Sequence, residues 1–151
     1  RGQYVFFSDA DLSTPVYELE KLLAKLKNGY DIAFGSRAAN RALVAKHQPW
    51  FRELIGRFFN LCVQVWVLPG IKDTQCGFKG FTAKAAKTVF SRQKLDSYIF
   101  DVEVLYIARK AGLAYIEIPV EWVNHADSRF KPNLRNFVTM WWDLFRLKFW
   151  H

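Results

Sequence analysis

The sequence predicts a single α/β domain in which helices pack against a central sheet. Segments rich in aromatic and β-branched residues alternate along the chain with segments whose apolar residues recur at helical spacing. The length of 151 residues is that of one ordinary domain. We find no internal repeat, low-complexity tract or linker. One layered α/β domain is therefore the most economical prediction.

The first half of the chain predicts two strands and two helices. "QYVFF" predicts a central strand that ends at two aspartates, and Thr14 should cap a helix with Pro15 at its first position. Apolar residues at positions 16, 19, 22, 23 and 26 follow helical spacing up to Gly29, where the helix should end. "YDIAFGSR" predicts the second strand. A basic polar loop over 38–48 then leads to the helical segment "WFRELIGRFFNLCVQVWVLPG".

The second half of the chain continues the alternation. "CGFKGFT" predicts a short extended segment, and Thr82 should cap the helix "AKAAKTVF". "YIFDVEVLYIARKAG" predicts a helix and "LAYIEIPVEWV" alternates like a strand. The last periodic segment, within 133–151, predicts an amphipathic C-terminal helix rich in aromatic residues.

Composition narrows the classes of protein and partner. Hydrophobic residues make up 51% of the chain and aromatic residues 17%, which excludes a disordered protein. The net charge of +8 favours an anionic partner, whether phosphate, nucleic acid or an acidic membrane surface. Cys62 and Cys76 lack metal-site or paired spacing and should be free thiols in a reducing compartment. No segment has the about 18 to 20 apolar residues needed to span a bilayer.

Asp9 and Asp11 are the first candidate functional residues, because they directly follow the first predicted strand. Ligand-binding groups collect at the carboxyl ends of strands in open α/β sheets. Two carboxylates one residue apart can reach one cation if the chain turns between them, and oxygen ligands suit Mg²⁺ or Mn²⁺. The alternative is common for so short a motif: one aspartate caps a turn and the other is solvated.

Five ordered motifs give these aspartates a context. "FFSDADLSTP", "DIAFGSR", "DTQCGFKGF", "SYIFDVEVL" and "YIEIPVEW" follow one another in an order that resembles family 2 glycosyltransferases of the GT-A fold. The resemblance covers about residues 3–150. It points to the subgroup that transfers sugars to dolichyl and polyprenyl phosphates, and the wording "DTQCGFK" is most similar to its dolichyl-phosphate glucosyltransferase branch. It also implies that the chain is the C-terminal portion of such a domain, without the upstream unit that binds the nucleotide's base and ribose.

The resemblance implies roles for residues that bind phosphate. Asp9 and Asp11 match the pair that holds a divalent cation on the diphosphate of the sugar nucleotide, with Asp11 the direct ligand. Arg37 matches an arginine of the catalytic cleft, where its planar guanidinium suits the phosphate of a lipid acceptor; without the resemblance, it could equally be a surface arginine at a strand end. Arg52 matches a second arginine in the helix after the basic loop. Ser128 and Arg129 replace a family "SK" turn and are expected to contact the acceptor phosphate.

Three more carboxylates are candidates for the catalytic centre. Asp73 opens "DTQCGF", a motif that lies beside donor sugar and acceptor in the family; alone, it could equally be a turn aspartate after Gly70. Asp101 and Glu103 lie near the start of a helix, where family members that need a general base place a carboxylate. A phosphate acceptor is already ionised at neutral pH, so both are expected to form the wall of the site or to orient substrate. The alternative is a carboxylate stabilised by the helix dipole.

The implied activity is an inverting, metal-dependent transfer of a hexose to dolichyl or polyprenyl phosphate. The donor would be UDP-glucose or, next, GDP-mannose, and the reaction would take place on the cytoplasmic face of a membrane: the endoplasmic reticulum in a eukaryote, the inner membrane in a prokaryote. The alternatives are a related enzyme acting on a polysaccharide or protein, and a non-enzymatic basic module. Nucleic acid is not expected as a partner, because most aromatic residues fall in apolar helix stripes.

Two helices suggest how the protein could contact a membrane. In the helix after the basic loop the polar positions 53, 57, 60 and 64 form one narrow stripe, and positions 136, 139, 143 and 146 repeat this pattern in the last helix. Wide apolar faces with tryptophan and flanking basic residues are typical of helices that lie in a bilayer interface. Burial in the core and an interface with a second copy of the chain are the alternatives.

Overall fold

A computed structural model describes residues 2–39, 42, 44–46, 50–123 and 134–151; the side chains at 44–46, 51–53 and 134–137 are outside this description. Strands and helices alternate as the sequence predicts. The strands are β1 (Tyr4–Ser8), β2 (Ile32–Ser36), β3 (Val44–Lys46), β4 (Phe78–Thr82), β5 (Tyr115–Pro119) and β6 (Trp122–Val123). The helices are α1 (Leu19–Lys27), α2 (Trp50–Trp66), α3 (Ala83–Phe90), α4 (Phe100–Lys110) and α5 (Leu134–Trp150), and a 3₁₀ turn, Val16–Glu18, precedes α1.

The main sheet has four strands in the order β1-β4-β2-β5. Strand β4 runs antiparallel to both β1 and β2, whereas β2 and β5 are parallel. The carboxyl ends of β1, β2 and β5 therefore lie at the same edge of the sheet as the start of β4. This mixed sheet flanked by helices confirms the predicted α/β class and agrees with the GT-A fold.

Both faces of the sheet are covered, because its side chains alternate between them. Ile32, Phe34 and Phe81 point into a large core formed with α2, α3, α4 and α5. Ala33 and Phe78 point to the other face and pack with Leu22 and Leu26 of α1. A sheet between two helical layers explains why β2 is buried along its whole length.

Three local expectations differ from the structure. Strand β1 is at the edge of the four-stranded sheet and not at its centre, since β4 is its one neighbour among the described residues. Thr14 does not cap the first helix; Pro15 occupies that position and no side chain bonds the helix start. The segment 38–48 contains strand β3, which pairs in parallel with β6.

Two helix boundaries follow the predicted signals. The Thr82 hydroxyl accepts a hydrogen bond from the Ala85 amide at 3.2 Å, so Thr82 caps α3 as predicted. Helix α1 ends at Lys27, and Gly29 follows with a φ of 96°, which a residue with a β-carbon adopts only under strain.

Helices α2 and α5 lie side by side on the outer layer. Trp66 stacks on Phe145 with ring centroids 6.3 Å apart, and Trp141 meets Phe58 and Phe59 at 6.1 and 5.7 Å. Large apolar side chains of both helices are nevertheless exposed to solvent. This exposed surface, the α2–α5 face, comprises Leu54, Ile55, Phe58, Leu61, Val65 and Trp66 of α2 with Val138, Trp142, Phe145 and Phe149 of α5. Among the described residues, no helix has the length and hydrophobicity required to cross a bilayer.

Candidate active site

The sheet topology brings most of the predicted site residues to one edge. Asp9 follows β1, Arg37 follows β2, and Asp73 belongs to the loop that leads into β4. Asp101 is on the first turn of α4. Electrostatic coupling of Asp9 with Asp101 and Arg37 shows that these groups are near neighbours.

Asp9 packs closely against Gly77, through a hydrogen bond of its backbone amide and through contact of its carboxylate with a residue that has no side chain. Its amide donates to the Gly77 carbonyl at 2.8 Å, which continues the β1–β4 pairing by one residue. A β-carbon at Gly77 would collide with the Asp9 carboxylate, so glycine is required there for the carboxylate to pack on the backbone. Close packing therefore accounts for the glycine of the "CG" pair before β4.

Asp9 carries negative charge that the surrounding residues compensate only in part. Partial burial raises the pKa of the Asp9 carboxyl, and the carboxylates of Asp101 and Asp11 raise it further. Lys79 and Arg37 act in the opposite direction but do not cancel this effect. None of the hydrogen bonds formed among the described side chains reaches the Asp9 carboxylate. A cation bound here would relieve the unfavourable charge.

Asp11 lies on a tight turn that displays its carboxylate to solvent. The Leu12 amide donates to the Asp9 carbonyl at 3.0 Å, and Leu12 has a φ of 51°, the positive region that non-glycine residues seldom adopt. The Ser13 amide donates to Asp11 Oδ1 at 3.0 Å. The Val123 amide donates to the Ser13 carbonyl at 2.9 Å, so strand β6 holds this turn in place.

Arg37 and Asp73 form a bidentate ion pair. Arg37 Nε donates to Asp73 Oδ2 at 2.7 Å, Nη2 donates to Oδ1 at 2.8 Å, and the Arg37 amide also donates to Oδ2 at 2.9 Å. The guanidinium lies over the Trp122 ring at 5.6 Å from its centroid. This geometry fixes the plane of the guanidinium before any ligand arrives.

Asp73 is held from behind by a residue that the sequence analysis did not identify. Glu117 on β5 accepts from the Asp73 amide at 2.7 Å and from the Lys72 amide at 3.0 Å. Burial raises the pKa of Asp73, but the charge and hydrogen bonds of Arg37 outweigh burial and the net pKa lies below its usual value. Asp73 is therefore ionised and ion-paired, which is the chemistry of a positioning group more than of a proton acceptor.

Lys79 is the second site residue that the sequence analysis missed. Its side chain is 0% exposed, and its ammonium donates to Asp101 Oδ1 at 2.5 Å and to the Cys76 carbonyl at 2.6 Å. It also lies over the Phe7 ring at 5.5 Å. The alternation of side chains along a strand could have identified Lys79, because it lies two residues before the buried Phe81 and therefore points to the same face of the sheet.

Glu103 lies away from this cluster, although it is only two residues from Asp101. Its carboxylate accepts from the Lys94 and Leu95 amides, at 2.9 Å for the shortest bond, and contacts His151 Nε2 at 2.7 Å. Residues two apart on a helix point about 200° apart, so both carboxylates cannot face one site. The structure thus brings Asp9, Asp11, Arg37, Asp73 and Asp101 to one edge and separates Glu103 from them.

Three predicted phosphate ligands lie at or beyond the limit of the description. Arg52 is on the first turns of α2, but its side chain is outside the described atoms. Ser128 and Arg129 lie outside the described residues altogether. Cys62 and Cys76 are both free, as predicted, and burial raises the pKa of the Cys76 thiol to about 12, so it remains protonated.

The chemistry of Asp9 and Asp11 fits a hard divalent cation. Both offer carboxylate oxygens at a strand end, and Asp9 has negative charge in excess of its cationic neighbours. Among the described residues no group of three or more ligating side chains forms a metal cage. Two carboxylates are nevertheless a familiar number for a cation that completes its shell with substrate phosphates and water.

Comparison with known proteins gives the family to which this fold belongs. Residues 1–90 match the family described as glycosyl transferase family 2, so the chain belongs to that family. The family is generally associated with a divalent metal.

Several curated proteins resemble the chain over most of its length. A dolichyl-phosphate beta-glucosyltransferase from Dictyostelium discoideum is 35% identical over 99% of the chain. Proteins with the same function in their names from Homo sapiens and Trichomonas vaginalis are each 37% identical over 87% of the chain. The chain covers 47%, 43% and 40% of these three relatives respectively, less than half the length of each.

Proposed function

We propose that the protein carrying this chain transfers a hexose from a nucleotide sugar to dolichyl or polyprenyl phosphate. Glucose from UDP-glucose is the first candidate and mannose from GDP-mannose the second. The transfer would be inverting, would use Mg²⁺ or Mn²⁺, and would take place at the cytoplasmic face of a membrane. Support comes from membership of glycosyl transferase family 2 and from relatives named as dolichyl-phosphate beta-glucosyltransferases.

One observation carries the proposal: an acidic pair and a preorganised arginine share one edge of the sheet. Asp9 and Asp11 offer the oxygen ligands of a donor diphosphate site, and Arg37 offers a fixed cation beside them. A transfer between two phosphate-bearing substrates needs both elements. Opposite charges at one edge let the site bind a metal-complexed diphosphate and a lipid phosphate without bringing the two anions into direct repulsion.

Arg37 is the residue that we assign to the acceptor phosphate. Two of the five N–H groups of its guanidinium are donated to Asp73, which leaves three for phosphate oxygens. Burial lowers the pKa of Arg37, but the neighbouring Asp73 raises it to a greater extent, so the cation is permanent. Asp73 and Glu117 then act as positioning residues, because they fix the angle at which Arg37 meets the phosphate.

Asp9 and Asp11 are the residues that we assign to the metal and the donor diphosphate. A divalent cation held there supplies neutralisation of the charge that the diphosphate gains as it leaves the sugar. The acceptor phosphate attacks the anomeric carbon directly, since it is already ionised and needs no general base. Asp101 is occupied by Lys79 and is proposed to shape the wall of the site.

The α2–α5 face is proposed to rest on the membrane that holds the lipid acceptor. It exposes ten large apolar residues beside basic side chains such as Lys148. Asn60, on the opposite, polar stripe of α2, donates its side-chain amide to the Lys72 carbonyl, next to Asp73. The proposed membrane helix therefore touches the loop that positions Arg37, which would bring the acceptor phosphate near the arginine.

Labelled sugar transfer tests the proposal directly. The protein at the length of its relatives is incubated with UDP-[¹⁴C]glucose or GDP-[¹⁴C]mannose, dolichyl phosphate and Mg²⁺ or Mn²⁺, and lipid is extracted into chloroform and methanol. Label in the lipid fraction that depends on dolichyl phosphate is the expected result. Label in a water-soluble polysaccharide or protein instead would identify the alternative acceptor, and unchanged transfer by Asp11→Ala would overturn the metal assignment.

A further inference from the structure

A cleft lies at the far end of α4 from the candidate active site. It has a volume of about 490 Å³ and is open to solvent. The ends of three helices form it: Val65 and Trp66 from α2, Tyr106, Arg109 and Lys110 from α4, and Lys148 from α5. Arg109 is eight residues beyond Asp101, which corresponds to about 12 Å along the helix. The cleft is thus separate from the edge that carries Asp9 and Arg37.

The lining of this cleft is cationic and aromatic. The described residues that line it include three basic side chains and no carboxylate. The Lys148 ammonium lies 4.5 Å from the centroid of the Trp66 ring, and the Lys110 ammonium lies 5.9 Å from that of Tyr106. The aromatic rings contact these ammonium groups without neutralising their charge. Like charges gathered without a counter-charge are unfavourable unless an anion joins them.

The cleft opens directly beside the α2–α5 face. Val65 and Trp66 belong to both, and Phe145 of that face stacks on Trp66. Val65 is 78% exposed and Phe149, next to Lys148, is 71% exposed. The surface therefore changes, from the α2–α5 face to the cleft, from apolar side chains to a tryptophan and then to lysines. This sequence of surfaces matches the acyl region, the interface and the phosphate level of a bilayer.

We propose that this cleft binds the phosphate headgroup of an anionic phospholipid, here called the headgroup site. The inference rests on the proposed membrane function and deepens it, because a headgroup held at one end of α2 would set the orientation of the face on the bilayer. A lipid occupant is favoured over a soluble phosphate by the continuity of the cleft with exposed apolar surface. Arg109 and Lys110 also lie in the last turn of α4, where they offset its dipole, so lipid binding has to be separated from helix stability.

Vesicle binding of the 151-residue chain tests the headgroup site. Co-sedimentation is measured with phosphatidylcholine alone and with an equal mixture of phosphatidylcholine and phosphatidylserine. The cleft variant combines Arg109→Gln, Lys110→Gln and Lys148→Gln. The control combines Lys27→Gln, Lys84→Gln and Lys87→Gln on α1 and α3, so that both variants fall from a net charge of +8 to +5.

The wild-type chain should prefer the anionic vesicles, and the cleft variant should lose this preference. Each basic group near an anionic surface contributes about a fivefold change in affinity, so three should amount to roughly 100-fold. The control should stay within about threefold of the wild type, because its three lysines do not line the cleft and exposed charges are screened by salt. Equal losses in both variants, with unchanged thermal unfolding, would show a diffuse charge effect and overturn the site.

Two further measurements separate the sources of phosphate and the two proposals. If inorganic phosphate binds the wild-type chain but not the cleft variant, while both vesicle types bind equally, the ligand is a soluble phosphate and the headgroup assignment is wrong. Transfer by the protein at the length of its relatives, wild type and cleft variant, to a short, water-soluble prenyl phosphate tests the proposed function without a membrane. The cleft variant should retain that activity. If the wild type shows no preference for anionic lipid, the headgroup site is wrong but the proposed transfer reaction is unaffected. If the wild type shows no transfer, the proposed function is wrong but the headgroup site is unaffected.

Discussion

Arg37 and Asp73 meet through two parallel hydrogen bonds, Nε to Oδ2 at 2.7 Å and Nη2 to Oδ1 at 2.8 Å, although 36 residues separate them in the chain. The Arg37 side chain is 31% exposed and that of Asp73 is 7% exposed, so the pair is at the boundary between core and solvent. The Arg37–Asp73 pair joins the end of β2 to the loop before β4. Its contribution to stability and its contribution to activity can be measured separately.

Asp73→Asn should lower the free energy of unfolding by about 2 kcal/mol at neutral pH. Loss of one partner of a buried pair costs about 3–5 kcal/mol, and the exposure of Arg37 reduces that figure. Because the folded-state pKa of Asp73 is lowered, its contribution is present above the unfolded pKa of about 4 and is lost as pH falls through the folded value. Urea unfolding at pH 7 and pH 3 measures the loss of stability and its dependence on pH. If Asp73→Asn lowered the free energy of unfolding equally at the two pH values, the ion-pair account would be wrong.

Asp9→Asn should abolish metal binding without destabilising the metal-free protein. The folded-state pKa of Asp9 is raised, so its stabilising effect is present below the unfolded pKa of 3.8 and is lost as pH rises through the folded value. At neutral pH the ionised Asp9 therefore disfavours folding, and its removal should leave the unfolding midpoint equal or higher. Titration with Mn²⁺ followed by electron paramagnetic resonance reports binding. Asp96→Asn, an exposed aspartate outside the cluster, is the control and should bind as the wild type does.

Much of the fold and part of the site could be predicted from the sequence. Alternation of strand and helix patterns located every element of the main sheet, and the strand-end rule found Asp9 and Asp11. The position of β1 at the sheet edge could not be predicted, because strand order depends on pairing between residues distant in sequence. The separation of Asp101 from Glu103 was within reach, since helical geometry alone forbids both from facing one site. The support of Asp73 by Glu117 on β5 depends on a contact across 44 residues that no local pattern contains.

Lys79→Met should destabilise the protein strongly, by about 3–5 kcal/mol. The substitution leaves Asp101 as a buried carboxylate without its counter-charge. It also removes a positive charge that lowers the pKa of Asp9, so the apparent pKa of Asp9 should rise further. Adding Asp101→Asn should recover part of the lost stability, which a double-mutant cycle by urea unfolding would detect. Independent, additive effects of the two substitutions would show that the contact at 2.5 Å carries no coupling.

Glu103→Gln distinguishes a structural carboxylate from a catalytic one. Glu103 is 0% exposed and accepts from two backbone amides of the loop before α4, so its loss should lower stability by about 1–3 kcal/mol. Transfer activity below the unfolding temperature should remain within about threefold of the wild type, since the carboxylate lies outside the cluster. Asp101→Asn is the matched comparison and should reduce transfer more than Glu103→Gln does. A loss of transfer by Glu103→Gln at temperatures where the variant remains folded would return Glu103 to the catalytic centre.

Gly77→Ala should damage the metal site by adding a single methyl group. The new β-carbon would collide with the Asp9 carboxylate, which must then leave its present position. Since the partly buried Asp9 side chain can rotate while its backbone stays bonded to Gly77, the stability cost should be about 1–2 kcal/mol, whereas Mn²⁺ affinity should fall at least about tenfold. Gly56→Ala on α2 is the control, because nothing lies within 4 Å of its added β-carbon and alanine favours the helix by about 1 kcal/mol. The two variants should therefore shift stability in opposite directions, and only Gly77→Ala should weaken Mn²⁺ binding. Unchanged Mn²⁺ affinity in Gly77→Ala would show that the packing of Asp9 on this glycine does not position the metal ligand.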